Sequence, residues 1–111
     1  MECVERDLGT TTVLEITGPI TMGSTREFRE RIDSLVRRAR TQIVLNLGGV
    51  SYVDSAGLGE LLAAFTTVST TGGKMKLVNL THRIDELLIV TKLSTVFEIW
   101  PTENEAVASF S

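Results

Sequence analysis

The run Ile43-Val44-Leu45-Asn46-Leu47 leaves the chain few folds to choose from. It has the length of a strand but no alternation of apolar and polar positions. Such a strand is covered on both faces or lies inside a parallel sheet. Parallel neighbours need crossover connections of about a dozen residues or more, usually helical. The flanking sequence supplies them. Before the run, Phe28, Ile32, Leu35, Val36 and Ala39 recur on one face of a helix, and Ser24-Thr25-Arg26-Glu27 opens it as a capping box. After the run, Gly48-Gly49 ends the strand and a polar corner stands at Asp54-Ser55. A helix then runs to Thr71-Gly72-Gly73, where the glycines stop it.

The alternation continues to the end of the chain. Met75 to Leu80 has strand character, and Thr81 caps a helix whose buried face is Ile84, Leu87, Leu88 and Thr91. Val96 to Trp100 forms a last strand stopped by Pro101. Thr102 and Glu105 make a second capping box before a short helix carrying Ala106, Val107 and Phe110. At the other end, Cys3 to Asp7 and Thr12 to Thr17 read as a hairpin turned at Gly9, with Gly18-Pro19 closing its second strand. The order ββαβαβαβα predicts a largely parallel α/β sheet, and residues 1–111 read as one domain without linker or repeat.

Composition enters where function is concerned. A formal net charge of −3 argues against a general binder of nucleic acid or membrane surfaces. Six arginines lie between Arg26 and Arg40, but Glu27, Glu30 and Asp33 offset part of them. Arg37, Arg38 and Arg40 also stand where positive charge complements a helix dipole. Cys3 is the only cysteine, which excludes an internal disulfide and suits a reducing cytoplasm. Met1-Glu2 begins no secretory leader, and no apolar run approaches the roughly 20 residues that span a bilayer, so a soluble cytoplasmic protein is expected. There is no GxxxxGK[ST] loop, no GxGxxG and no G-x-S-x-G elbow. The single histidine, His82, follows the cap Thr81 as an exposed first-turn residue, and no cluster has metal-ligand spacing. No enzyme, cofactor or metal is expected.

The unusual residues gather in Val50 to Phe65. Gly57 and Gly59 open the second helix, although each costs about 1 kcal/mol against alanine in a helix interior. On a wheel, Leu58, Leu61, Leu62 and Phe65 form the core stripe. Ala56, Gly57, Glu60, Ala63, Ala64 and Thr67 form the opposite face, and from Ser55 to Gly73 only Glu60 is charged. A small, nearly uncharged outer face either receives a partner or is covered by another element of the same fold. Asp54 or Ser55 caps this helix. A phosphate on Ser55 would meet the free N–H groups of the helix start. It would also add about −1.5 to −2 charges beside Asp54 and spoil a partner's fit. Gly57 and Gly59 would leave room for a kinase or partner backbone to approach.

These residues, with Val50-Ser51-Tyr52-Val53 leading into Asp54-Ser55-Ala56-Gly57-Leu58-Gly59, closely resemble the bacterial anti-sigma factor antagonists of the STAS domain family. The resemblance covers nearly the whole chain. It implies a mixed, mostly parallel sheet of four to five strands with about four helices, packed largely on one side. It implies a non-enzymatic switch: the unphosphorylated antagonist binds an anti-sigma factor that is a serine kinase and frees a sigma factor. Phosphorylation of Ser55 breaks the complex, and a serine phosphatase resets it. Asp54, Ala56, Gly57, Gly59, Glu60, Ala63, Ala64 and the loop residue Thr21 would face the partner. Thr21 stands where many family members carry an acidic residue, which removes a charge from the site. The family also includes subunits of transport systems and of stress-sensing scaffolds, a use that would not require Ser55 to be modified. The uncharged helix face would serve a homodimer as well.

Overall fold

The computed structural model describes residues 1–110. Strands β1 (Glu2–Leu8) and β2 (Thr11–Thr17) form the hairpin, with Gly9 in the left-handed region at φ +69°. Helix α1 (Thr25–Arg37), strand β3 (Gln42–Gly49), helix α2 (Ser55–Thr70), strand β4 (Lys74–Val78), helix α3 (His82–Val90), strand β5 (Glu98–Trp100) and helix α4 (Glu103–Ala108) follow in that order. The sheet runs β1-β2-β3-β4-β5, antiparallel only at β1–β2 and parallel thereafter.

That strand order places the helices. Each parallel step advances one strand in the same direction, so crossovers of one hand return on the same face of the sheet. Helices α1, α2 and α3 accordingly pack together over Leu14, Ile16, Ile43, Leu45, Leu47, Met75 and Leu77. The other face carries Val13, Val44 and Val78, and α4 covers it with Ala106, helped by Trp100, Val107 and Phe110. The apolar run in β3, interrupted only by Asn46, is thereby explained: Ile43, Leu45 and Leu47 serve one core, Val44 the other. A buried lysine fastens α4. The Lys76 ammonium meets Glu98 Oε2 at 3.1 Å, Ser109 Oγ at 2.5 Å and the Phe110 ring at 3.9 Å from its centroid.

Several local expectations change. Strand β3 continues through Gly48-Gly49 instead of ending before them, because Thr17 pairs with Gly49 beyond a register shift in β2. Ser24 occupies the cap position of α1 without making a cap: its Oγ accepts from the Thr21 N–H at 2.9 Å and thus ties the preceding loop. The helix ends at Arg37, and Ala39 lies beyond it with φ +58°. The arginines at the end of α1 answer to β1 more than to a dipole. Arg31 and Arg38 flank Glu5, and Arg40 reaches Asp7 and Thr12. Half of the six arginines of this segment are therefore matched by carboxylates of the hairpin. Thr81 and Thr102 cap α3 and α4 as the sequence predicts, accepting from Ile84 and Glu105.

Candidate functional site at the start of helix α2

The corner between β3 and α2 is assembled by two loops. In the β2–α1 loop, the Ile20 N–H donates to the Tyr52 carbonyl at 2.8 Å and Ile20 forms a parallel bridge with Val53. The Ile20 carbonyl then accepts from Asp54 N–H at 3.3 Å. Asp54, not Ser55, is the N-cap. Its Oδ1 accepts from the Gly57 N–H at 2.7 Å, and its Oδ2 accepts from the Met22 N–H at 3.0 Å. One carboxylate thus joins the start of α2 to the loop that contains Thr21. The hydrogen bonds from Gly57 and then Met22 hold the Asp54 carboxyl below its usual pKa, so it stands ionised here.

Ser55 is the first helical residue and is exposed. Thr21 lies in the adjoining loop, half-buried, one residue before the N–H that Asp54 holds. The structure therefore brings Asp54, Ser55 and the Thr21–Met22 loop together. It divides the rest of the expected surface. Gly57 is buried, and a Cβ there would lie 2.0 Å from the Ile20 carbonyl oxygen. Its room is taken by the protein's own loop, which corrects the expectation that it leaves clearance for a partner. Gly59 is exposed with open space around its Cα.

Glu60 and Ala64 also turn inward. Glu60 is 6% exposed, and Arg29 of α1 grips its Oε1 through both Nε, at 2.9 Å, and Nη2. Ala64 packs in the main core at 5% exposure. Small side chains along this side let α1 lie close to α2, so the second of the two explanations for the small face holds for half of it. The stripe that reaches solvent is rotated by about one position. It runs Ser55, Gly59, Ala63, Thr66 and Thr70, with Ala56 half-exposed, and none of these is charged. Correspondingly, Leu58, Leu62 and Phe65 are only partly buried, while Leu61 and Val68 carry the core contact.

Thr66, further along the α2 stripe, and the exposed Met22 (76%) and Tyr52 (47%) near the corner are surface residues that periodicity alone did not single out. Met22 and Tyr52 lie in loops, where helical or strand spacing carries no signal. The lone His82 is exposed at the start of α3, 3.1 Å from Glu86. Among the described residues, no group of three His, Cys, Asp or Glu side chains is placed to hold a metal. No described helix is long and apolar enough to cross a membrane.

A family model described as "STAS domain" matches residues 4–106. The chain belongs to the STAS domain family. Its relatives are anti-sigma factor antagonists. The anti-sigma-B factor antagonist of Bacillus subtilis (strain 168) is 34% identical to this STAS domain over 86 residues, 78% of each chain. The anti-sigma F factor antagonist of Paenibacillus polymyxa is 24% identical over 96 residues, 86% of this chain and 82% of its own. Among solved structures, an anti-sigma factor antagonist from Mycobacterium paratuberculosis superimposes with TM-score 0.87 at 20% identity, covering 97% of this chain and 92% of that one. The phosphorylated form of the Bacillus cell fate determinant SpoIIAA gives 0.76 at 20% identity, covering 99% and 100%. Part of the murine anion transporter Slc26a9 shares the fold, with TM-score 0.76 at 18% identity over 93% of this chain but 18% of the transporter.

Proposed function

We propose that this STAS domain is an anti-sigma factor antagonist switched at Ser55. In its unphosphorylated form it binds an anti-sigma factor that is a serine kinase, and so releases a sigma factor. The kinase phosphorylates Ser55 and the complex dissociates; a serine phosphatase restores the binding form. The chain is the substrate and binding module of this cycle and performs no catalysis, and its place is the cytoplasm.

The observation that carries this proposal is the setting of Ser55. It is an exposed hydroxyl at the head of an uncharged stripe, beside an ionised Asp54 that already occupies the first-turn N–H of Gly57. A phosphate there gains what helix-start donors remain, which offsets its repulsion from Asp54, so the fold tolerates it. A partner lying over Ala56, Gly59 and Ala63 would instead have to bury about two negative charges without a counter-charge on this chain, which costs several kcal/mol. The names of the relatives support the same cycle, and so does the existence of a phosphorylated form of SpoIIAA with this fold.

The expected outcome is that Ser55→Asp unfolds at the wild-type temperature but fails to bind a purified anti-sigma factor kinase, while Ser55→Ala binds and stays bound in the presence of ATP. Intact mass after incubation with kinase and ATP should show one added phosphate on the wild type and none on Ser55→Ala. Wild-type affinity in Ser55→Asp would sink the switch. Binding without any added phosphate would point instead to an interaction subunit that Ser55 does not control.

A further inference from the structure

The corner that holds Ser55 continues into an apolar groove that the uncharged α2 stripe does not include. Two residues before Asp54, the exposed Tyr52 forms one wall. The floor is Val53 and Ile84, 6% and 1% exposed, and the far wall is Leu87 and Val90 of α3. The cavity holds about 290 Å³, enough for one or two large apolar side chains. Val90, the last residue of α3, is 79% exposed. Met22, whose N–H donates to the Asp54 carboxylate, is 76% exposed.

We propose that this groove seats an apolar segment of the same anti-sigma factor that meets Ser55, so that the partner's footprint runs from the α2 stripe across Tyr52 to Val90. The proposal rests on the function proposed above and adds where the affinity arises. Continuity favours a protein partner: the groove begins two residues from the cap carboxylate, and its walls are a tyrosine and aliphatic side chains, the kinds of residue that anchor protein interfaces. Charge disfavours a membrane surface. The groove's two charged residues, Arg83 and Glu86, cancel, and the chain as a whole carries −3. The division of labour follows. Tyr52, Leu87 and Val90 would supply buried apolar area, and Ser55, at the rim, would decide by its charge whether that area can be covered.

The test titrates the full-length chain and its variants with a purified anti-sigma factor serine kinase from the same genome. Val90→Glu and Tyr52→Ala, both at exposed positions, should unfold at the wild-type temperature. Each should weaken binding about tenfold or more, the loss typical of an interface anchor. Val90→Glu should also slow phosphate addition to Ser55 at limiting kinase while leaving Ser55 itself intact. If Val90→Glu binds like the wild type while Ser55→Asp does not, the groove proposal is overturned and the switch stands. If the wild type binds no such kinase, both are overturned. If sedimentation shows a wild-type dimer that Val90→Glu converts to a monomer, the groove seats a second copy and the proposal is likewise overturned.

Discussion

Asp54 carries more of this site than its neighbour in sequence, the modifiable serine. A single carboxylate caps α2 through Gly57 and holds the Thr21–Met22 loop through Met22. Both hydrogen bonds favour its charged form, which lowers its pKa in the folded state. A carboxyl whose folded pKa is depressed contributes stability that is full above its unfolded pKa and is lost as pH falls through the folded value. Asp54→Ala should therefore lower the denaturation midpoint at pH 7 and flatten the fall in stability below about pH 4. Urea titrations of the two proteins at pH 7 and pH 3 would show this as a gap that closes on acidification. A gap that stayed constant would mean the carboxylate's charge plays no part. The same substitution should free the loop around Met22, visible as faster amide exchange at that N–H.

Within α2, the two glycines have opposite reasons to exist. Gly57 is buried under the Ile20 carbonyl, where a Cβ would approach to 2.0 Å, so neither loop nor helix has room to give. Gly57→Ala should destabilise the protein, at the upper end of the roughly 1–3 kcal/mol that overpacking costs. Gly59 meets nothing within 4 Å, so the Gly59→Ala side chain would point to solvent from a helical backbone. That substitution should stabilise by about 0.4–1 kcal/mol, since alanine has less freedom to lose than glycine. Chemical denaturation of the two variants beside the wild type would test the contrast. If Gly59→Ala binds the anti-sigma factor less well while folding more stably, open space at Gly59 serves the partner. Between elements, Arg29 and Glu60 join α1 to α2 in the same way that Arg38 and Glu5 join α1 to the hairpin. Arg29, Arg31, Arg38 and Arg40 are matched by acids of α2 and β1, which reduces the basic character that their density in the sequence suggests.

At the scale of the whole molecule, the sheet has two unequal covers. Three helices protect one face, and the other depends on the short α4 and its polar fastenings. Glu103, the first residue of α4, accepts from Arg6 Nη2 at 2.6 Å and from Asn46 Nδ2 at 2.5 Å. Burial alone would raise its pKa, but these bonds and the charge of Arg6 outweigh it and hold the carboxyl below its usual value. Here too stability is present above the unfolded pKa and lost as pH falls through the folded one. Glu103→Gln should thus cost stability at pH 7 but little at pH 3. The loss should also be local: faster proteolysis and amide exchange of residues 103–108, with the exchange of α2 unchanged. Equal acceleration in α2 would show that the two covers unfold as one unit.

Much of this protein was legible in its sequence because the controlling interactions are local or periodic. The ββαβαβαβα order, the doubly covered strand β3, the caps at Thr81 and Thr102 and the corner at Asp54-Ser55 all follow from spacing and residue type. The family's Asp54-to-Gly59 pattern was visible on the same grounds. Tertiary structure alone decided which face of α2 is outside. Ala56, Gly57, Glu60, Ala63 and Ala64 are alike on a helical wheel, which has no means of showing that α1 and the Ile20 carbonyl come from elsewhere in the chain to cover Gly57, Glu60 and Ala64. Met22 meets Asp54, and Ile20 meets Tyr52, for the same reason. Those contacts join residues some thirty positions apart. The number and kind of elements are set by local periodicity, but exposure is a property of what packs on top.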